Sequence, residues 1–281
     1  MKKRIIIKNN LFIISTILIL LLYAIFYYYF KYSPTEWLKH FSNTDELNKV
    51  SNYSFWWFIL SGEIFGSFVY IFPIILVMIS ASEFFEIYHT GFFLNIIQRI
   101  GYKKTIVTEM LKAYKYSLFL PFVSILTLLM SKILYKNNII YKYEDTKGYP
   151  IQLVNELMEK IDPKLFILIH SILLIIFSLI IINIGLIFSK FFKKFYLVNI
   201  TSFITLLFIE NFNNLLLAPI IAKITGIEKM YNGFSIYNLY YLNAYPSIIW
   251  EFIFGIFLLI LSTIIVYFIY RKKEEICLNY E

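Results

Sequence analysis

The chain has 281 residues and a formal net charge of +8, yet 59% of it is hydrophobic and only 16% is charged. Soluble domains carry about 25% charged residues, so the composition excludes an ordinary water-soluble fold. The single cysteine, Cys277, excludes an internal disulfide framework, and three scattered histidines disfavour a zinc cluster.

Six apolar runs are long enough to cross a hydrocarbon core of about 30 Å, which requires roughly 20 helical residues. The first run, 11–30, is uncharged and follows four basic residues. It ends in consecutive aromatic residues and lacks a small-residue cleavage site, so it predicts a retained span and not a signal peptide. The other predicted spans are 63–82, 116–134, 165–189, 195–216 and 250–270. We therefore expect an all-α fold: one polytopic membrane domain, 1–281, of six transmembrane helices.

The basic residues predict the orientation of these spans. With a cytoplasmic N-terminus, the internal segments hold 15 of the 26 basic residues, because Lys and Arg adjoin the apolar runs on that side. This asymmetry predicts that both termini are cytoplasmic, and it favours a membrane over nucleic acid as the reason for the positive charge. The loops 31–62, 135–163 and 217–249 are then external, and the apolar face of 151–161 predicts an amphipathic helix on the outer surface.

The loop 83–115, between spans two and three, is unusually apolar for a segment outside the membrane. Gly91 and Gly101 divide it into short helical pieces, and its apolar residues continue from Phe92 to Ile100. Solvating such a loop would be costly, which favours a short helix that docks into a groove of another protein. The alternative is that the glycines are ordinary turns and the charges form a solvated rim.

An acidic and aromatic segment, a Thr-Gly step, an arginine and a basic pair follow one another in this loop. These residues are Glu83, Phe84, Glu86, Thr90, Gly91, Arg99, Lys103 and Lys104. In this pattern and in its six-span topology, the chain resembles the type 2 ATP-binding cassette permeases, in particular their small bacterial members. The resemblance implies that the loop is a cytoplasmic coupling helix touching a separate ATPase subunit, which binds ATP and Mg. It also implies a second permease copy or a paralogue, a re-entrant hairpin within 217–249, and the bacterial cytoplasmic membrane.

The function implied by this resemblance is export of an amphiphilic cargo, such as an antimicrobial peptide, a lipid or a drug, by alternating access. The chain contains no phosphate-binding loop, so ATP hydrolysis is expected on the partner and the chain itself is not an enzyme. One alternative is a non-transporting immunity or sensor protein that binds a toxin or a partner. Another, an intramembrane enzyme, requires paired ionisable residues in different spans, and Glu210 has no evident partner in the sequence.

Two smaller features complete the predictions. Glu210, Asn211, Asn213 and Asn214 form a polar cluster in the fifth run. The cluster indicates a polar patch on a translocation path, a break where the helix bends back, or the outer end of span five. Gly62 and Gly66 have the spacing of a close helix contact, within one subunit or between two copies.

No metal is expected, because Glu86-x-x-His89 resembles half of a di-iron motif and the sequence has no second copy.

Overall fold

The structure is a computed structural model that describes residues 52–61, 63–89, 92–134, 161–225 and 248–271, together with Leu22, Phe26, Ile236, Tyr237 and Leu239. Within these residues the chain is all-helical and contains no strand, which confirms the predicted class. The helices are α1 Asn52–Ser61, α2 Glu63–His89, α3 Phe92–Ile100, α4 Tyr102–Tyr114, α5 Phe119–Leu134, α6 Pro163–Phe191, α7 Phe195–Phe212, α8 Ala218–Thr225 and α9 Ile248–Tyr270. A 3-10 turn, Lys115–Leu118, joins α4 to α5, and a π-helical turn, Asn213–Leu217, joins α7 to α8.

Five helical stretches of the described chain are long and apolar enough to cross a membrane. They are Tyr70–His89, Tyr102–Leu134, Pro163–Phe191, Phe195–Ile220 and Glu251–Tyr270. Each overlaps one of the predicted spans two to six, and the chain is accordingly a multi-pass membrane protein. The first predicted span, 11–30, lies outside the described residues except for the helical Leu22 and Phe26, so a sixth span stays a prediction. The amphipathic helix predicted at 151–161 also lies outside them.

The helices that contain spans two and three are longer than the spans that the sequence predicts. Helix α2 continues seven residues past 82 to His89, and one helical stretch, Tyr102–Leu134, begins fourteen residues before 116. Hydropathy ends a span at its first charged residues, whereas a helix continues wherever those charges lie on an exposed face, as Glu86 and Lys103 do. Helix α3 lies between the two spans, and Gly101 ends it with φ of 84°, a conformation that glycine adopts without steric strain.

The chain divides into two compact units, one of 1–68 with 121–171 and one of 69–120 with 172–281. The first unit has an aromatic core around His170. Trp56 and Trp57 are 0% and 3% exposed, and their rings contact Phe166 and the His170 imidazole. The Trp56 Nε1–H donates to the Ser124 carbonyl oxygen at 2.9 Å, so the polar group of this buried indole has a partner.

In the second unit, α6 and α9 lie side by side and run in the same direction. Three of their contacts follow a regular spacing. A Cβ added to Gly255 would lie 3.2 Å from Ile176 Cγ2, Asn183 Nδ2 donates to Ser262 Oγ at 3.0 Å, and Lys190 Nζ donates to the Ile269 carbonyl oxygen at 2.9 Å. Successive contacts are seven residues apart on both helices. That period is typical of parallel helices packed as in a left-handed coiled coil.

Helix α2 also runs parallel to α6, with very little space between them. A Cβ on Gly185 would lie 3.1 and 3.2 Å from the two methyl carbons of Val77 and 3.4 Å from Ala81 Cβ. Near the ends of both helices, the His89 Nε2–H donates to the Ser189 carbonyl oxygen at 2.7 Å. Small residues at such contacts allow helix backbones to approach closely within a membrane. Gly66 lies within α2 and Gly62 lies outside the described residues, so their packing role stays a prediction.

Candidate functional site

Four helix ends meet beside α3: the ends of α2, α6 and α9, and the beginning of α4. We call this the α3 end. A buried hydrophobic cluster joins the four helices there, and its members are Phe84, Tyr88, Ile106, Ala113, Ile182, Leu186, Val266 and Tyr270. Because each helix contributes side chains to one cluster, a displacement of any of the four ends disturbs the packing of the others.

Tyr270, the last residue of α9, connects these helices through polar contacts as well. Its hydroxyl donates to the Leu186 carbonyl oxygen at 2.7 Å, and its own carbonyl oxygen accepts the Tyr102 hydroxyl at 2.8 Å. The Phe84 ring meets the Tyr270 ring edge to face, with 5.3 Å between centroids. Helix α9 is therefore joined at its last residue to α2, α4 and α6.

Further along the same helices, a buried asparagine joins α4, α6 and α9. Asn183 is 1% exposed, its Oδ1 accepts the Tyr114 hydroxyl at 2.7 Å, and its Nδ2 donates to Ser262 Oγ at 3.0 Å and Thr263 Oγ1 at 3.1 Å. Both of these hydroxyls donate to the Leu259 carbonyl oxygen, so they are free to accept from the amide, which fixes its orientation. We call these four side chains the Asn183 knot.

The predicted coupling residues occupy different environments at the α3 end. Glu86, Arg99, Lys103 and Lys104 are exposed, and Glu83 is half-buried. Phe84 is only 2% exposed and belongs to the hydrophobic cluster, so it is a core residue and is not available to a partner. Thr90 and Gly91 lie outside the described residues. Four of the eight predicted residues are therefore exposed on helices that meet at the α3 end.

The exposed charges of this surface have no salt bridge to any described residue. The ion pair found in the described part of the chain joins Lys112 to Glu109 within α4. Helix α3 is fixed to α4 through Gly101, whose N–H donates to the Ile97 carbonyl oxygen at 2.9 Å and whose carbonyl oxygen accepts the Thr105 N–H at 3.1 Å. Ile97 packs against the hydrophobic cluster. A partner that binds Arg99 would therefore act directly on α4 and on the cluster.

The predicted polar patch on α7 is divided between several environments. The helix does not end at Glu210, because α7 continues to Phe212 and the π-helical turn and α8 follow. Glu210 Oε1 accepts from Asn214 Nδ2 at 2.8 Å, Asn211 is exposed and bonds the Leu207 carbonyl oxygen of its own helix, and Asn213 is buried. The four residues thus share one stretch of helix but not one surface.

Sequence reasoning missed the Asn183 knot and the polar contacts of Tyr270. One signal was present, since Asn183 is the only carboxamide side chain in the predicted span 165–189. An asparagine in an apolar span commonly bonds across to another helix. The identity of its partners depends on how α6 is aligned with α4 and α9, and no local pattern encodes that alignment.

Among the described residues, no group of three or more His, Cys, Asp or Glu side chains is arranged to hold a metal ion. No known protein family, no curated protein and no solved structure matches the chain. The α3 end, and the resemblance of its loop pattern to the type 2 ATP-binding cassette permeases, are therefore the basis for a functional proposal.

Proposed function

We propose that the chain is the membrane-spanning permease subunit of an ATP-binding cassette exporter, of the type 2 family that its loop pattern resembles. The observation that supports this most directly is the charged surface of the α3 end. Glu86, Arg99, Lys103 and Lys104 are exposed there, and the cluster beneath them contains side chains of four helices. A surface of that kind suits a partner that must both bind the chain and move its helices.

The proposal places the α3 end in the cytoplasm of a bacterial cell. Lys193, Lys194 and Arg271 are exposed at the same end, beside the basic residues already described. Cytoplasmic segments of membrane proteins are enriched in Lys and Arg. Under this orientation both termini are cytoplasmic, and the surface faces a soluble ATPase.

The proposed mechanism requires two kinds of subunit. The ATPase subunit binds ATP and Mg, and two copies of this chain, or this chain and a paralogue, form the path for an amphiphilic cargo. Closure of the ATPase subunits displaces α3, and the turn at Gly101 transfers this displacement to α4. Tyr102 and Tyr114 join α4 to α9 and α6, so the displacement reaches two further spans. Such a rigid-body motion between two packed halves is a known form of alternating access.

We expect the charge reversals Glu86→Arg and Arg99→Glu each to weaken binding of a candidate partner ATPase by about tenfold, since a like-charge contact at an interface costs more than about 1 kcal/mol. The measurement is co-purification of the detergent-solubilised chain with that ATPase, followed by its ATP hydrolysis rate. Lys223→Glu is the matched control, because Lys223 is exposed on α8, away from α3. We expect that variant to bind as the unaltered chain does.

Three outcomes distinguish the alternatives. Absence of any complex with the unaltered chain would contradict the proposed function. A complex that tolerates both charge reversals would contradict the assignment of the α3 end. A complex whose ATP hydrolysis does not respond to cargo would favour the non-transporting immunity or sensor protein.

A further inference from the structure

Two lysines, Lys112 and Lys115, interrupt an apolar stripe on the outer surface of the second unit. Lys112 lies in the last turn of α4, and Lys115 begins the 3-10 turn that follows it. Lys115 is exposed, and the Lys112 side chain is 37% exposed. Leu111 and Leu118, one turn to either side of Lys115, are 62% and 58% exposed. Residues three or four positions apart share a helix face, so the lysines and leucines form one surface.

The hydrogen bonds of α4 give the position of the two lysines along the bundle. The first residue of α4, Tyr102, bonds the carbonyl oxygen of Tyr270, so α4 begins level with the end of α9. The last residue of α4, Tyr114, donates its hydroxyl to Asn183 Oδ1. Asn183 is eight residues, about 12 Å, from the end of α6. The two lysines flank Tyr114 in the chain, and they therefore lie about 12 Å from the α3 end.

Helix α9 gives the position of the α3 end in the membrane. Its apolar stretch Glu251–Tyr270 has 20 residues and a length of about 30 Å, which equals the thickness of a hydrocarbon core. Tyr270 therefore lies close to one boundary of the core, and the exposed Arg271 follows it. Lys112 and Lys115 then belong to helix that has already entered the core. An exposed charge at that depth is costly unless it has a partner.

The protein itself compensates these two charges only in part. Glu109 is 6% exposed, and its Oε1 accepts from Lys112 Nζ at 2.5 Å. Lys115 Nζ lies 4.9 Å from the centroid of the Tyr116 ring, which is a cation–π contact and not an ion pair. Within the described chain, one carboxylate thus faces two ammonium groups, which leaves one positive charge. Each ammonium group has three N–H donors, so donors remain for a further acceptor.

An anionic phospholipid has the chemistry that this surface requires. Its phosphate supplies a negative charge and oxygen acceptors, and basic residues on membrane helices bind such headgroups. Lysine side chains on α4 lean towards its N-terminus, which is the direction of the headgroups in the leaflet on the α3 side. The acyl chains of a lipid in that leaflet run the other way, past the exposed Leu118. The exposed leucines favour a lipid over a soluble anion, because a soluble anion offers them no apolar contact.

We propose that Lys112 and Lys115 bind the phosphate of an anionic phospholipid from the leaflet on the α3 side, and that Leu111 and Leu118 contact its acyl chains. Tyr114 lies between the two lysines in the chain and bonds α6, so bound lipid would hold α4 in its present position. The site requires only that the chain lies in a membrane. It does not depend on an ATPase and can be tested without one.

The test measures the affinity of the detergent-solubilised chain for phosphatidylglycerol, by native mass spectrometry of the first bound lipid. Phosphatidylcholine with the same acyl chains is the reference lipid, because its headgroup carries no net charge. We expect Lys115→Gln to weaken binding of phosphatidylglycerol by about tenfold, since it removes a charge-assisted contact to the phosphate. Binding of phosphatidylcholine should stay unchanged. Lys115→Arg keeps the charge and should keep the affinity.

Lys194→Gln is the matched control, because Lys194 is also an exposed lysine of the second unit that lies over a tyrosine ring, that of Tyr196. We expect it to change the affinity for phosphatidylglycerol by less than about twofold, since Lys194 lies outside the proposed site. Lys115→Gln is preferred to Lys112→Gln, because loss of Lys112 would leave the buried Glu109 carboxylate without its cation. The melting temperature of each variant without added lipid confirms that it is folded.

The remaining outcomes each overturn part of the proposal. Unchanged affinity in Lys115→Gln would overturn the site, and so would an equal loss in Lys194→Gln, which would indicate general attraction between basic residues and anionic lipid. Equal affinity for the two lipids would show that the phosphate charge is not recognised. Displacement of phosphatidylglycerol by excess inorganic phosphate would show that the lysines bind a soluble anion instead of a lipid. Failure of the chain to bind an ATPase contradicts the proposed function and leaves the lipid result unaffected.

Discussion

We expect Gly185→Leu to lower the melting temperature of the chain by about 5–10 °C, and Gly185→Ala by only a few degrees. A Cβ on Gly185 already lies 3.1 and 3.2 Å from the methyl carbons of Val77, so alanine requires small shifts of one side chain. Leucine adds three further carbons where no space exists between α2 and α6. Overpacking of this kind costs about 1–3 kcal/mol or more, and 1 kcal/mol corresponds to roughly 2–4 °C in a chain of this size.

The measurement is the fraction of monodisperse protein that survives heating in detergent, followed by size-exclusion chromatography. Leu168→Ala is the control on the same helix, because Leu168 is 56% exposed and its truncation should change stability by less than about 0.5 kcal/mol. A Gly185→Leu chain as stable as the unaltered one would show that α2 and α6 are not in contact at this residue.

The second large effect is expected at the Asn183 knot. Asn183→Leu removes three hydrogen bonds between helices and leaves the Tyr114 hydroxyl without its acceptor on α6. Such bonds average about 0.6 kcal/mol in membrane proteins and reach about 1.7, so we expect a loss of about 2 kcal/mol. The free energy of unfolding in mixed detergent micelles measures this loss.

Asn211→Leu is the matched control for the knot, because it makes the same substitution on α7, where the amide is exposed and bonds its own helix. Its effect should be close to zero. Combining Asn183→Leu with Tyr114→Phe should cost less than the two changes separately, since both remove one shared hydrogen bond. Full additivity would contradict that bond.

The apolar runs predicted the five described spans because each one is a local property of its segment. Their ends were harder to predict, since α2 carries Glu83 and Glu86 beyond the predicted end at 82 without leaving the helical conformation. The hydrogen bond of buried Trp56 to the carbonyl group of Ser124 joins residues 68 positions apart, so no local pattern encodes it. Local hydropathy therefore predicts that a span exists, and tertiary contacts decide where it ends.

In the candidate site, too, the sequence predicts local features but not tertiary contacts. The charge pattern of the loop predicts a coupling surface, and that role stays a prediction. Glu86, Arg99, Lys103 and Lys104 are each exposed, because charges outside a hydrocarbon core require water or a partner. The pattern did not distinguish Phe84, whose aromatic ring is equally suited to a docking surface and to a core. The Ile236 N–H donates to the Glu210 carboxylate, and these two residues are 26 positions apart. No periodic pattern in the sequence links them.

The seven-residue register between α6 and α9 has a mechanical consequence. Sliding one helix along the other by a single residue, about 1.5 Å, would break the contacts of Ile176, Asn183 and Lys190 at the same time. The next alignment of the same period lies seven residues away, about 10 Å, which is too far for a small adjustment. Sliding between these two helices is therefore unfavourable, and we expect the pair to tilt or bend as one unit.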